Sequence, residues 1–127
     1  MDYKYKIRFV RVDGNWDLFV DNAQVKAEEV DGAGTDFFAI GSAASGGSTT
    51  ALGILLAASG DIEFAKTLKS EFKWDFVRTW PVSSGVVKVE YEIDLIKWAM
   101  SKAGYFLNRT HLLQVIAGMR ARKAGIL

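Results

Sequence analysis

The first twenty residues constrain this chain more than any other stretch. Tyr3, Tyr5, Ile7 and Phe9 alternate with Lys4, Lys6 and Arg8, the period-two pattern of a strand with one apolar and one wet face. Asp13-Gly14 follows, a pair that accepts the positive φ of a tight hairpin turn. Trp16, Leu18 and Val20 then alternate again. A two-residue loop sets Phe9 opposite Leu18, Ile7 opposite Val20 and Lys6 opposite Asp21. Apolar then meets apolar, and lysine meets aspartate on the other face. A hairpin with one apolar face needs a second layer to cover it. The rest of the chain is read for that layer.

Asp21-Asn22 is a further turn signal. Gln24 to Val30 reads as a strand between turns, although its Ala and Glu also suit helix. Asp31 to Gly34 is a loop, and Thr35 to Ile40 reads as a buried strand. The Gly/Ser/Ala run 41–48 reads as a loop, with Thr49-Thr50 capping a short helix over 51–58. Asp61 caps a second helix from Ile62 to about Phe72, with Ile62, Phe64, Leu68 and Phe72 near one face. Trp74, Phe76 and Trp80 alternate up to Pro81, which cannot donate to a ladder. With Val87, Val89, Tyr91 and Ile93 beyond a Ser83-Ser84-Gly85 turn, they predict a second hairpin over 73–93. Asp94 caps a helix to about Ala103. Asn108 or Thr110 caps the last helix, about 109–123, whose apolar stripe is Leu112, Val115, Ile116 and Met119, with Gly125 beyond its end. No repeat or linker divides the chain. The expectation is one α+β domain over 1–127: antiparallel hairpins with helices on one face and two C-terminal helices.

Composition removes whole classes of chemistry. The chain has 127 residues, no cysteine and one histidine. Disulfides, thiol catalysis, Cys-based metal sites and a multi-His site within one chain are excluded. No cofactor is expected. The N-terminus has no apolar run or small-residue cleavage site, so it does not read as a signal peptide. From Phe37 to Gly60 no residue is charged. That is long enough to span a bilayer, but the stretch is rich in Gly, Ser and Thr, and a buried segment is the better reading. The expected compartment is the cytoplasm, with no membrane association.

The formal net charge of +1 conceals an asymmetry. Residues 1–94 carry ten basic and fifteen acidic side chains, net −5. Residues 95–127 carry six basic ones (Lys97, Lys102, Arg109, Arg120, Arg122 and Lys123) and no acidic side chain, net +6. One sign of charge along a helical segment attracts anions. Dipole complementation in the last helical turn explains part of it. It does not explain Arg109, a cation at a helix start.

Gly41-Ser42-Ala43-Ala44-Ser45-Gly46-Gly47-Ser48 sits between a strand reading and a helix reading, where loop amides and a helix start favour phosphate. It matches the P-loop spacing G-x-x-x-x-G-K-[ST] except that Gly47 replaces the lysine. Without that charge, phosphoryl transfer is not expected. Trp16 and Trp80, at hairpin ends, could stack a base or sugar. Lys4, Lys6 and Arg8 line one strand face, which suits a phosphate backbone, although protection of a sheet edge is the better reading. His111 reads as a surface or packed residue. No G-x-S-x-G elbow is present, and no acid–base pair suggests an enzyme.

The sequence therefore points to a small non-enzymatic protein that captures an anionic, nucleotide-like molecule. Gly46, Gly47, Ser48 and Thr49 would offer amides and hydroxyls. Arg109, with Arg78 or Arg120, would neutralise charge, and Trp74 or Trp80 would stack a base. A homo-oligomer is expected, because a site of this size is easier to build between subunits. A phage-type sequestering protein is one setting for such a chain. A small virion or assembly component and a single-stranded nucleic-acid binder are the alternatives.

Overall fold

The computed structural model describes residues 3–41, 45–80 and 85–125. Strands β1 (Tyr5–Val12), β2 (Asn15–Val20), β3 (Ala23–Val25) and β4 (Lys88–Ile93) form one antiparallel sheet in the order β3-β2-β1-β4. Helices are α1 (Ser45–Ser59), α2 (Ile62–Asp75), α3 (Leu95–Ser101) and α4 (Arg109–Lys123). The fold class is α+β.

The first hairpin has the register its side chains require: Phe9 faces Leu18 and Ile7 faces Val20. Asp13 and Gly14 both take positive φ, 50° and 82°, as a two-residue turn of this twist demands. Tyr5, Ile7, Phe9, Leu18, Val20 and Ile93 are buried on one sheet face. The covering layer is helical. Buried residues of α2 are Phe64, Ala65, Leu68 and Phe72. Those of α4 are the expected stripe Leu112, Val115, Ile116 and Met119. Caps form where the sequence placed them: the carboxylates of Asp61 and Asp94 and the amide oxygen of Asn108 accept from Phe64, Lys97 and His111 N–H. Each such cap is worth about 1 kcal/mol.

α1 is enclosed on most of its circumference. Thr49, Thr50, Ala51, Leu52, Ile54, Leu55, Ala58 and Ser59 are all buried. This accounts for the uncharged stretch 37–60, since a buried charge without a partner is costly. Among the described residues no helix is long and apolar enough to cross a membrane.

Four local expectations are corrected. The helix expected over 51–58 begins at Ser45, so Gly46, Gly47, Ser48 and Thr49 lie in helix rather than in a loop. Tertiary packing drives this start: a Cβ on Gly46 would stand 2.7 Å from the Phe37 ring and 2.9 Å from Ala39 Cβ. Thr35 to Ile40 is not a strand. Phe38 and Ile40 are buried, but Ala39 pairs with the Thr50 side chain, N–H to Oγ1 at 2.8 Å and O from Oγ1 at 2.7 Å. Gln24–Val30 is strand only to Val25; a 3₁₀ turn follows at Ala27–Glu29.

The fourth correction is the 73–93 hairpin. α2 continues to Asp75, and a 3₁₀ turn spans Val77–Thr79. Phe64, Leu68, Phe72 and Phe76 recur at helical spacing, and that period prevails over the alternation of 74, 76 and 80. β4 finds its partner in β1, with Phe9 facing Val89 and Ile7 facing Tyr91.

Replacing Gly46 by valine tests the close packing at the start of α1. Overpacking costs typically ~1–3 kcal/mol, and the helix-propensity gain over glycine offsets well under ~1 kcal/mol of it. Gly46→Val is expected to lose about 2 kcal/mol in chemical denaturation. A glycine with open space where its Cβ would stand would tolerate the change nearly unaffected.

Candidate functional site

α1 and α2 form an antiparallel helical hairpin. Gly60, at φ 68°, ends α1 in the left-handed conformation glycine adopts most cheaply. Asp61 starts α2 at once. The two helices therefore run side by side, and residues equally far from the turn meet. Ser48 and Lys73 are such a pair: Lys73 Nζ donates to Ser48 Oγ at 2.9 Å. Gly41 N–H also donates to Val77 O at 2.8 Å. The open end of the hairpin thus joins the start of α1 to the end of α2.

That end carries an exposed aromatic ring with a cation at its face. Trp74 is 51% exposed, and the Arg78 guanidinium lies 4.5 Å from its ring centroid. Arg78 is itself exposed. Next to them, Asp75 accepts from the Trp98 indole N–H at 2.9 Å and pairs with Lys102 at 2.9 Å. Lys102 also reaches Glu71 at 3.4 Å. Partial burial works to raise the Asp75 carboxyl. The Trp98 and Lys102 hydrogen bonds, with Lys102 and Arg78 charge, outweigh it and hold the group below its usual range. Lys102 is raised, chiefly by its hydrogen bond to Asp75. Asp75 is thereby occupied; Arg78 is the cation at the Trp74 face, and Lys73, its neighbour in the chain, reaches Ser48.

The expected site residues divide clearly. Ser48 joins this end through Lys73, and Trp74 and Arg78 form its platform. Gly46, Gly47 and Thr49 are at the same helix start but buried; Thr49 Oγ1 accepts from the Thr35 hydroxyl at 2.8 Å, and Gly46 O accepts from Ala39 N–H at 3.3 Å. Trp80 is not at an exposed hairpin tip. It is 7% exposed, edge-on to Phe9 and Phe72 and stacked on Tyr91 at 4.4 Å. Arg109 and Arg120 lie elsewhere. α4 crosses the turn end of the hairpin, where His111 meets Asp61 at 3.0 Å and Arg122 donates to Ser59 O at 2.9 Å. That end is roughly 18 Å of helix rise from Lys73. The basic C-terminal segment is partly structural: Lys102, Arg122 and Lys123 hold Asp75, the last carbonyls of α1 and Asp21. Arg109 and Arg120 are exposed and make no ion pair among the described residues.

Two residues escaped sequence reasoning. Lys73, from α2, brings a cation to Ser48 near the start of α1. His111 is not a solitary surface residue. Its Nε2 donates to Asp61 Oδ1, the oxygen that also caps Phe64 N–H at 2.9 Å, and Glu63 lies 3.9 Å away. The hydrogen bond to Asp61 raises the His111 pKa above 6.5 against a smaller opposing effect of burial, with Asp61 and Glu63 charge adding to the rise. For Asp61, partial burial pushes upward, but the Phe64 amide and His111 together hold the carboxyl below 3.8.

These directions set a pH window. Protonated His111 is favoured by folding, so its contribution is fully present below 6.5 and is lost as pH rises through the raised folded value. Ionised Asp61 contributes above 3.8, and its share is lost as pH falls through the lowered value. The wild-type melting temperature is expected to fall between pH 6 and 8.5. In His111→Gln that slope should flatten. An unchanged slope assigns the pH dependence to other groups.

A family profile matches residues 8–101, a span that contains Ser48, Lys73, Trp74 and Arg78 and stops before α4. No curated protein and no solved structure matches the chain. The chain belongs to the family of unknown function DUF6166.

Proposed function

We propose that the protein is a small non-catalytic binder of an anionic, nucleotide-like molecule, and that the open end of the α1–α2 hairpin is its site. The observation that carries this reading is the exposed Trp74 ring with the Arg78 guanidinium at its face. An aromatic face accepts a base by stacking, worth about 1–3 kcal/mol. Lys73 and the Ser48 hydroxyl, side by side at the start of α1, suit a phosphate group held near the positive end of a helix. Relative to the expectation from sequence, Lys73 takes the place of Arg109 and Arg120, and of the two tryptophans expected to stack only Trp74 is retained. A receptor and a sequestering protein both need only such a capture site.

A thermal-shift series with nucleoside mono-, di- and triphosphates and cyclic nucleotides tests the reading, because a ligand of the folded state raises the melting temperature. Binding should appear for at least one of them. Trp74→Ala should weaken it about tenfold or more and leave the melting temperature of the free protein nearly unchanged, since the ring is exposed. Lys73→Gln should weaken binding and reduce its salt dependence. No shift with any nucleotide at millimolar concentration, or binding unaffected by Trp74→Ala, overturns the assignment. A strongly salt-dependent shift with oligonucleotides alone would transfer the reading to single-stranded nucleic acid.

A further inference from the structure

The two edges of the sheet are unequal. β3 is three residues long, too short to template another strand. β4 runs for six, Lys88–Ile93, paired to β1 without a bulge. Its sequence has no proline, and its inward positions Val89, Tyr91 and Ile93 carry no charge. Proline and an inward charge, two of the usual devices that blunt an edge, are thus absent, and the charges it does carry, Lys88, Glu90 and Glu92, are of both signs. Among the described residues no strand lies on its outer side.

The hydrogen-bond phase shows which groups that edge presents. Arg11 N–H donates to Val87 O at 2.8 Å, so odd-numbered residues of β4 turn their backbone groups to β1. Lys88, Glu90 and Glu92 therefore turn theirs outward. Their side chains lie on the exposed sheet face. Beyond the strand, Val87 is 64% exposed.

We infer that β4 is a homodimer interface in which a second copy of this chain adds its own β4 antiparallel, making one eight-stranded sheet. Outward groups on even residues allow only registers that set even residues opposite even. One register places Lys88 opposite Glu90 of the second copy, and Glu90 opposite Lys88, around a two-fold axis at Val89. Sliding by one step of two residues keeps two opposite-charge pairs, Lys88 with Glu92, but sets Glu90 against Glu90; sliding the other way sets Lys88 against Lys88 and leaves no opposite-charge pair. Like charges directly opposite are destabilising, so charge selects the first. In that register the exposed Val87 lies opposite Tyr91 of the second copy, on the apolar side of the sheet.

The chain has no cysteine, so single thiols report the register directly. Val89→Cys places two sulfurs at the two-fold axis, in a non-hydrogen-bonded pair close enough for a disulfide, and should form a covalent dimer under mild oxidation. Val87→Cys, more exposed, has its symmetry mate about four residues away along the strands, roughly 13 Å, and should not. Sedimentation velocity over a concentration series should show a reversible wild-type dimer. Lys88→Glu, at an exposed position, should weaken it about tenfold or more by turning two attractive pairs repulsive, with an unchanged circular dichroism spectrum. A monomer at every concentration, equal cross-linking of Val87→Cys and Val89→Cys, or a dimer indifferent to Lys88→Glu overturns the inference. None of these readouts involves Trp74 or a nucleotide, so they stand apart from the ligand assignment.

Discussion

A single carboxylate oxygen at the Gly60-Asp61 turn organises the helical layer. Asp61 Oδ1 accepts from Phe64 N–H, which starts α2, and from His111 Nε2, which docks α4. The Asp61 amide meanwhile donates to Ser59 Oγ at the end of α1 at 3.1 Å. Three helices thus take their relative placement from one residue. The left-handed Gly60 makes the reversal tight enough that α2 runs back along α1 directly. Everything at the far end of the hairpin follows from this geometry, including the contact between Ser48 and Lys73.

Much of the fold is legible where local chemistry and long-range pairing agree. The first hairpin is one case: turn residues, alternation and cross-strand charge all select the same register. The caps at Asp61, Asp94 and Asn108 are another, because a capping side chain needs only its own first turn. The α4 stripe is equally plain, since nothing in 109–123 competes with its period.

The failures are physical as well. Residues 73–80 carry two periods, and local alternation cannot reveal that Phe72 and Phe76 share an aromatic cluster with Trp98, their rings 5.3 and 5.6 Å from it. Glycines at 46 and 47 disfavour helix by propensity, yet α1 runs through them from Ser45, and Phe37 and Ala39 pack so close to Gly46 that no Cβ fits there. Of the candidate site, Trp74 and Arg78 were within reach of residue type alone, inside a stretch read as strand. Lys73 required the hairpin. Counting outward from Gly60-Asp61, Ser48 and Lys73 are matched positions, so the pairing is implied once both helices are granted.

The unequal shielding of the four tryptophans has an optical consequence. Trp80 is buried among Phe9, Phe72 and Tyr91, Trp98 is tied to Asp75, and Trp16 sits edge-on to Phe9 with Arg11 over its ring. Their emission belongs to the core and reports its integrity. Trp74 alone of the four stands half in water. A collisional quencher such as iodide therefore samples one indole preferentially, and the quenchable fraction of the fluorescence becomes a readout of a single square of surface at the end of α2.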